Sequence, residues 1–361
     1  MSALTFTGPV LPDGERRALT VVGGHVTLET VPGAETGATG WIVPGLVDAH
    51  CHLGLDDDGA VSDAATEQQA LEDRDGGVLL IRDCGSAADT AWVQDREDLP
   101  RLVRAGRHIA RTRRYIRNYA HEVEPEELAS YVAREAQRGD GWVKLVGDWI
   151  SREEGDLAPS FPPEVFAEAI AVAHEHGARV TAHCFGSRVL PGLIEAGIDC
   201  IEHGTGLSPD LVEEMARRGT ALVPTVMQLE KFPQYAEAGA EKFPGYASTM
   251  TDLFARRRET IMSAVEAGVR VYAGSDGGGL SRHGNLAGEV HAMVALGMRP
   301  HDALGAASWR AREWLGFAPG LGEGDPADFV VYDADPRTDL ETLRRPAAVV
   351  LRGRVVAPTG G

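Results

Sequence analysis

Six side chains that can bind a metal ion or transfer a proton lie at the ends of short apolar segments. They are His50, His52, Lys144, His183, His203 and Asp276. Because residues i and i+2 of a β-strand point to the same face, His50 and His52 can reach one point. A single histidine at a strand end is usually structural, but burying all six groups without a metal would leave several of them without partners. The set therefore predicts a metal site.

Lys144 is one of only three lysines in the chain, together with Lys231 and Lys242. It interrupts the apolar segment 142–146, where an unpaired ammonium group is costly. This position makes Lys144 a candidate site residue. The alternative is an amine that extends to solvent or pairs with Asp276.

The segments that carry these residues alternate with helical stretches, which is typical of repeated βα units around a parallel sheet. The predicted strands are 43–49, 77–83, 108–112, 142–146, 179–183, 200–203, 221–225 and 270–276, and the predicted helices include 126–138, 163–176, 187–196, 209–218, 248–267 and 285–296. Eight such strands predict an α/β fold of the (β/α)8 TIM-barrel type, whose active site lies at the C-terminal strand ends. A doubly wound open sheet is the alternative, but it does not explain polar residues at so many strand ends.

Both ends of the chain alternate in a strand-like manner and contain little helical signal. Each end alone is too small to hold a core. We therefore expect residues 1–44 and 318–361 to pair into one small β-sandwich domain beside a barrel formed by residues 45–317.

Charge and composition exclude several classes of protein. The formal net charge is −19, from 35 basic and 54 acidic residues, which argues against nucleic acid or an anionic membrane as a partner. A small-molecule substrate is expected, and the number of subunits stays open, a homo-oligomer included. The absence of a long apolar stretch and of a signal-like N-terminus favours a cytoplasmic location. The four scattered cysteines, Cys51, Cys84, Cys184 and Cys200, predict buried free thiols.

Eight arginines share the 22-residue window 96–117, which has a net charge of +6. They are Arg96, Arg101, Arg104, Arg107, Arg111, Arg113, Arg114 and Arg117. They could bind the carboxylate of an acidic or dipeptide-like substrate, since guanidinium groups suit carboxylates. The favoured interpretation is a solvated segment that pairs with acidic neighbours such as Glu122, Glu124, Glu126 and Glu127.

The motifs together resemble the amidohydrolase superfamily of metal-dependent hydrolases, and within it the imidazolonepropionase-like and Xaa-Pro dipeptidase-like branch. The resemblance rests on Gly45-Leu46-Val47-Asp48-Ala49-His50-Cys51-His52, Lys144, Ala182-His183, Ile201-Glu202-His203-Gly204, Gly274-Ser275-Asp276 and the tail Gly324-Asp325-Pro326-Ala327-Asp328-Phe329-Val330-Val331. It spans nearly the whole chain.

The resemblance implies a binuclear centre. His50, His52 and Asp276 would bind one divalent ion and His183 and His203 the other, with Lys144 bridging both as a carbamate formed with carbon dioxide. Imidazole-rich coordination favours zinc, with iron, manganese, cobalt and nickel as alternatives. A hydroxide bridging the ions would attack an amide, peptide or related carbon–nitrogen bond, and Asp276 would transfer the proton to the departing nitrogen.

The third-strand region departs from the pattern of the branch. Dipeptidase-like members carry a Gly-Gly-His type loop there, whereas this chain has the segment 113–121. Tyr119 and His121 are expected to line the substrate pocket in its place.

Two other functions stay open. A deaminase of the same superfamily would use one metal without a bridging lysine, and Lys144 argues against it. A non-catalytic barrel scaffold is the other alternative, and the intact set of ligands argues against that.

Overall fold

The structure of the chain is a computed structural model that describes residues 3–357. Its strands are β1 Leu4–Val10, β2 Glu15–Val22, β3 His25–Thr27, β4 Glu35–Thr39, β5 Trp41–Pro44, β6 Leu46–Cys51, β7 Leu55–Asp56, β8 Gly59–Ala60, β9 Val78–Asp83, β10 Arg101–Arg104, β11 Ile109–Arg111, β12 His121–Val123, β13 Trp142–Val146, β14 Asp148–Ser151, β15 Asp156–Pro159, β16 Arg179–Cys184, β17 Cys200–His203, β18 Ala221–Val223, β19 Phe329–Tyr332, β20 Ala348–Leu351 and β21 Arg354–Ala357. Its helices are α1 Asp63–Asp75, α2 Leu128–Arg138, α3 Pro163–Glu175, α4 Leu190–Glu195, α5 Pro209–Arg218, α6 Val226–Leu229, α7 Phe232–Gly239, α8 Pro244–Glu266, α9 Leu286–Leu296, α10 Pro300–Ala306 and α11 Trp309–Trp314.

Local sequence signals explain where several helices begin and end. The Ser62 side chain accepts a hydrogen bond from the Ala65 amide at the start of α1, as N-cap residues do. Helix α5 begins with a proline in its first turn and ends at Gly219, whose φ of 74° lies in the left-handed region that glycine favours.

The central strands form two parallel sheets. The order is β10-β9-β6 in the three-stranded sheet and β12-β11-β13-β16-β17-β18 in the six-stranded sheet. Strands β6, β9 and β13 are buried along their whole length, as expected where helices cover a parallel sheet. The alternation of strands and helices thus gives the predicted α/β class.

The predicted eighth strand, 270–276, is not a regular strand. It forms isolated parallel bridges through Val271 to Leu222 and through the following residue, Gly277, to Cys51. The Tyr272 amide donates to the Leu222 carbonyl and the Ala49 amide to the Ala273 carbonyl, at 3.0 and 2.9 Å. The segment therefore lies between β18 and β6, but a closed eight-stranded sheet is not recorded within residues 3–357.

The two ends of the chain meet in one sheet. Its order is β21-β20-β19-β5-β1-β2-β3, and β4 pairs with β1. The ends were expected to form a sandwich, but the described residues place these eight strands in a single mixed sheet. Residues 1–2 and 358–361 of the predicted domain lie outside the described residues, and the division into domains stays a prediction.

Alternation along β19 explains how this sheet packs. Phe329 and Val331 join an apolar cluster with Phe6, whereas Val330 and Tyr332 join the main core. Because successive side chains point to opposite faces, both faces of the sheet bury apolar groups. Elsewhere, the four cysteines are buried free thiols. None of the helices within residues 3–357 combines the length and apolar character that crossing a membrane requires.

Asp328 connects this sheet to the parallel strands. Its side chain is fully buried and accepts from Arg101 Nε at 2.7 Å and from the Arg352 amide at 2.7 Å. The buried Arg312 guanidinium lies 3.7 Å away. Asp328 therefore has two cationic partners and one backbone partner.

We expect Asp328→Ala to lower the free energy of unfolding by about 3–5 kcal/mol, because Arg312 would stay buried without its counter-charge. Urea unfolding followed by circular dichroism measures the change. Asp333→Ala, at an exposed position of the same segment, is the matched control. A loss no larger than that of the control would contradict this role of Asp328.

Candidate metal centre

His50, His52 and Asp276 converge at the end of β6. His50 Nε2 lies 3.3 Å from His52 Nε2 and 3.1 Å from Asp276 Oδ1. His52 Nε2 lies 3.2 Å from the same Asp276 oxygen. These three residues form one of the groups whose ligand atoms are close enough to share a metal ion.

The hydrogen bonds of the two Nδ1 atoms determine which nitrogen of each ring is available as a ligand. His50 Nδ1 lies 2.5 Å from Glu202 Oε2, and His52 Nδ1 lies 2.9 Å from the Gly85 carbonyl oxygen. Both oxygens are acceptors, so each Nδ1 carries a proton that it donates. The two Nε2 atoms then face the Asp276 carboxylate. Three potential ligand atoms within 3.3 Å of one another could share a cation, and metal-binding histidines are oriented in this way.

A second pair of imidazoles lies on neighbouring strands of the six-stranded sheet. His183 Nδ1 on β16 lies 3.0 Å from His203 Nε2 on β17. His203 Nδ1 contacts Thr225 Oγ1 at 2.6 Å. The His203 ring centroid is 5.2 Å from that of His50. The two histidine pairs are therefore adjacent, and each could hold one ion.

Lys144 lies on β13 with only 1% of its surface exposed. It pairs with Thr181 in the ladder between β13 and β16. Its ammonium group is close enough to contribute to the lowered pKa of His52, His183 and His203. The structure therefore brings five of the predicted ligands, namely the four histidines and Asp276, to one cavity, and it buries Lys144 on β13, which pairs with the strand of His183.

Burial sets the protonation of these groups. Burial lowers the pKa of His52, of His183 and of His203, the last to about 3. These rings are thus neutral near pH 7, which is the form that binds metals. Burial and Lys144 also act to lower the pKa of His50, but the carboxylates of Glu202 and Asp276 outweigh them and raise it. Burial alone would raise the pKa of Asp276, but His50 and His52 hold it well below its usual range.

Glu202 contacts the Nδ1 atom of His50 and so helps to orient that ring. This role was not predicted from the sequence. The fully buried Glu202 carboxylate contacts His50 through one oxygen and Arg82 Nη2 through the other, at 2.6 Å. Arg82 Nε in turn donates to the Ala49 carbonyl oxygen at 2.7 Å. A glutamate inside a buried strand segment was the available signal, since such a charge needs a partner.

The backbone is strained at three strand ends around the site. His203, Thr225 and Asp276 have φ values of 68°, 46° and 53°. Non-glycine residues rarely adopt this region, and such strain concentrates at functional sites. It accompanies the turn of the chain away from each strand.

A cavity of 220 Å³ opens above the two histidine pairs. Tyr119 lines it and donates from its hydroxyl to the Asp56 carbonyl oxygen at 2.7 Å. His121 does not line this cavity, and substrate contact by either residue stays a prediction. On β12 the His121 Nε2 lies 3.0 Å from Glu135 Oε1, because the pairing of β12 with β11 places it against α2.

Most of the cavity wall was not predicted from the sequence. The side chains that were not predicted include Tyr115, Ile116, Trp149, Phe185, Gln228, Tyr235 and Tyr246. They come from loops, from the β14–β15 hairpin and from helices α6, α7 and α8, so no strand-end rule could find them. A larger groove of 1300 Å³ lies near the N-terminal ends of the strands and contains none of the predicted site residues.

None of the eight arginines of the window 96–117 lines the cavity, although Tyr115 and Ile116 of the same window do. Arg111 pairs with Glu124 at 2.7 Å, and Arg104 pairs with Asp140 at 2.8 Å. Arg113 and Arg117 are exposed. These contacts agree with the favoured interpretation of a solvated, ion-paired segment.

Comparison with known proteins identifies the family. The amidohydrolase family model matches residues 41–356. An uncharacterized protein of Mycobacterium tuberculosis is 53% identical over 357 residues, which cover 98% of this chain and 96% of the relative. The chain belongs to the amidohydrolase family. This membership confirms the predicted resemblance and supports hydrolysis of a carbon–nitrogen bond as the activity.

Two further proteins are similar to the chain at lower identity. Ochratoxinase of Aspergillus niger is 24% identical over 359 residues, covering 85% of this chain and 73% of the relative. A solved structure of a putative prolidase from Bifidobacterium longum has a TM-score of 0.85 at 22% identity, covering 100% of this chain and 96% of the other. The structural likeness supports a TIM-barrel-type α/β fold.

We expect Glu202→Gln to weaken metal binding by about 10–100-fold, because glutamine cannot hold His50 and Arg82 with the same charge. Competition with a zinc-binding dye measures the affinity, and circular dichroism checks the fold. Glu195→Gln on the exposed face of α4 is the control. An affinity equal to that of the control would show that Glu202 does not orient His50 for metal binding.

Proposed function

We propose that the chain is a binuclear metal-dependent hydrolase that cleaves an amide or peptide bond of a small molecule. The proposal is carried by one observation: the ligand atoms of His50, His52 and Asp276 lie within 3.3 Å of one another. A second imidazole pair and a buried lysine lie beside them. The relatives named prolidase and ochratoxinase support this reaction class. The volume of the cavity supports a small substrate.

His50, His52 and Asp276 would hold one divalent ion, and His183 and His203 the other. The donor set of four imidazoles and carboxylate-type oxygens suits zinc. Two ions held here would polarise the substrate carbonyl and lower the pKa of a water molecule. The protein then has to orient the substrate and move one proton.

Asp276 is the group placed to move that proton. Its side chain is 13% exposed, whereas its partner His50 is almost fully buried, so the carboxylate reaches the cavity. Because its pKa is held low, Asp276 is ionised near pH 7 and can accept a proton from the attacking water. It then donates that proton to the departing nitrogen, and the products are a carboxylic acid and an amine.

Lys144 would bridge the two ions as a carbamate. A neutral lysine amine adds carbon dioxide and releases a proton, which gives an anionic group with two oxygens. A free ammonium at this place would instead repel the metals, and it already acts against protonation of the neighbouring histidines. Arginine could not form this bridge, because its guanidinium stays protonated.

We expect Asp276→Asn to lower kcat by about 10²–10⁴-fold while metal stays bound. Asparagine tolerates a positive φ better than most residues do, so the backbone at this position should be kept. The rate is measured on the best substrate from a panel of N-acyl amino acids, dipeptides, carbamates and lactams. Asp57→Asn, at an exposed position, is the control, and a variant with near-normal kcat and full metal content would exclude Asp276 as the proton carrier.

We expect the zinc-loaded protein in ¹³C-labelled bicarbonate to show a carbamate carbon resonance by NMR. Lys144→Arg should abolish the resonance and reduce the bound metal below two ions per chain. Lys231→Arg should keep both. A wild-type protein that binds two ions without the resonance would rule out the carbamate bridge.

A further inference from the structure

We propose that the cavity selects uncharged amides that carry an aromatic or compact apolar group, and that it discriminates against substrates with a free carboxylate. The reaction itself rests on the proposed function. The selectivity rests on the residues that line the cavity beside the proposed metal ligands.

The walls are aromatic. Tyr115 and Trp149 meet edge to face, with ring centroids 4.9 Å apart at 68°. Phe185 meets Phe232 in the same way at 4.7 Å and 67°. Tyr235 and Tyr246 complete this lining. Rings that already contact one another edge to face offer faces and edges to a further ring of a ligand.

The volume fits one such group. An apolar cavity of about 150 Å³ holds a benzene molecule, and this cavity measures 220 Å³. The remaining space is about the size of an amide group. A compact ligand with one ring or branched apolar group therefore matches the site better than an extended peptide.

No arginine or lysine lines the cavity within the described part of the chain. The cations behind its walls are held by backbone oxygens. Arg114 donates through Nη1 and Nη2 to the carbonyls of Pro159, Trp149 and Ala158. Lys231 donates to the Leu280 carbonyl at 3.1 Å and to Ser281 Oγ at 2.7 Å. These contacts hold the two cationic side chains against the loops behind the wall, and neither side chain lines the cavity.

Gln228 lines the cavity, and its amide group is engaged with the wall. Its Nε2 donates to the Tyr235 hydroxyl at 2.9 Å, and its Oε1 is buried without a hydrogen-bond partner among residues 3–357. At the aromatic wall, away from the metal-binding groups, a ligand carboxylate would find no arginine or lysine among the lining residues to pair with, and a buried unpaired charge is costly.

The test compares N-benzoylglycinamide with N-benzoylglycine, which differ only in the charge of the terminal group. Calorimetry measures the binding of each to the zinc-loaded Asp276→Asn variant, so that turnover does not enter. We expect the carboxamide to have a Kd lower by at least about tenfold. Equal or tighter binding of the carboxylate, or no measurable binding of either ligand, would overturn the inference.

A second variant tests whether the discrimination arises because no lysine or arginine lines the cavity. Ile116 lines the cavity and is half-buried, so its position tolerates a polar side chain. On the same zinc-loaded Asp276→Asn background, Ile116→Lys should tighten binding of the carboxylate by about fivefold, which is the range of an exposed ion pair. Ile116→Gln should leave the ratio of the two Kd values, carboxylate to carboxamide, unchanged. An unchanged ratio in the lysine variant would contradict the proposed cause. Failure of the metal-loaded wild type to hydrolyse any amide would contradict the proposed function instead, and the binding ratio would still decide the selectivity.

Discussion

The contact of Glu202 with His50 and Arg82 is the constraint on which the site depends. The glutamate is fully buried on β17, and its charge is balanced by the Arg82 guanidinium at 2.6 Å. The face of that guanidinium lies over Trp142, 4.6 Å from the ring centroid. Removing one partner of a buried ion pair is strongly destabilising. The side chains of Glu202 and Arg82 therefore connect β17 of the six-stranded sheet to β9 and β6 of the three-stranded sheet, and the His50 ring is held with its Nε2 towards Asp276.

Two of the proposed ligands, His203 and Asp276, have a strained backbone conformation. The ladder between β16 and β17 reaches His203, and its backbone then turns with a positive φ. Asp276 turns in the same way after Gly274, where a Cβ atom would lie only 2.5 Å from the His50 Cβ. This close approach brings the Asp276 carboxylate to the two imidazoles.

The sequence predicted the ligands better than it predicted their surroundings. Alternation along a strand sufficed for His50 and His52, and the strand-end rule sufficed for His183 and Asp276, because both depend on local geometry alone. The cavity wall depends on loops whose paths no periodicity encodes, so Trp149 and the other aromatic residues of the wall were missed. His121 was expected in the cavity wall. It lies outside that wall because the pairing of β12 with β11 places it against α2. The single sheet at the chain ends could not be told from a sandwich, because alternating apolar residues fit both.

The groups that would bind metal and the groups that would contact the rest of the substrate therefore lie on different structural elements around one cavity. Strand ends hold the groups that would bind metal and move a proton, and they are fixed by buried charges such as Glu202. Loops and helices hold the aromatic wall, where Tyr115 is half-buried and contacts His183 only at the edge of the site, with ring centroids 5.8 Å apart. Binding residues carried on loops can change while the scaffold stays fixed. Substitutions in the wall can thus alter which amide is accepted without disturbing the Glu202 contacts, and the ligand set alone does not determine the substrate.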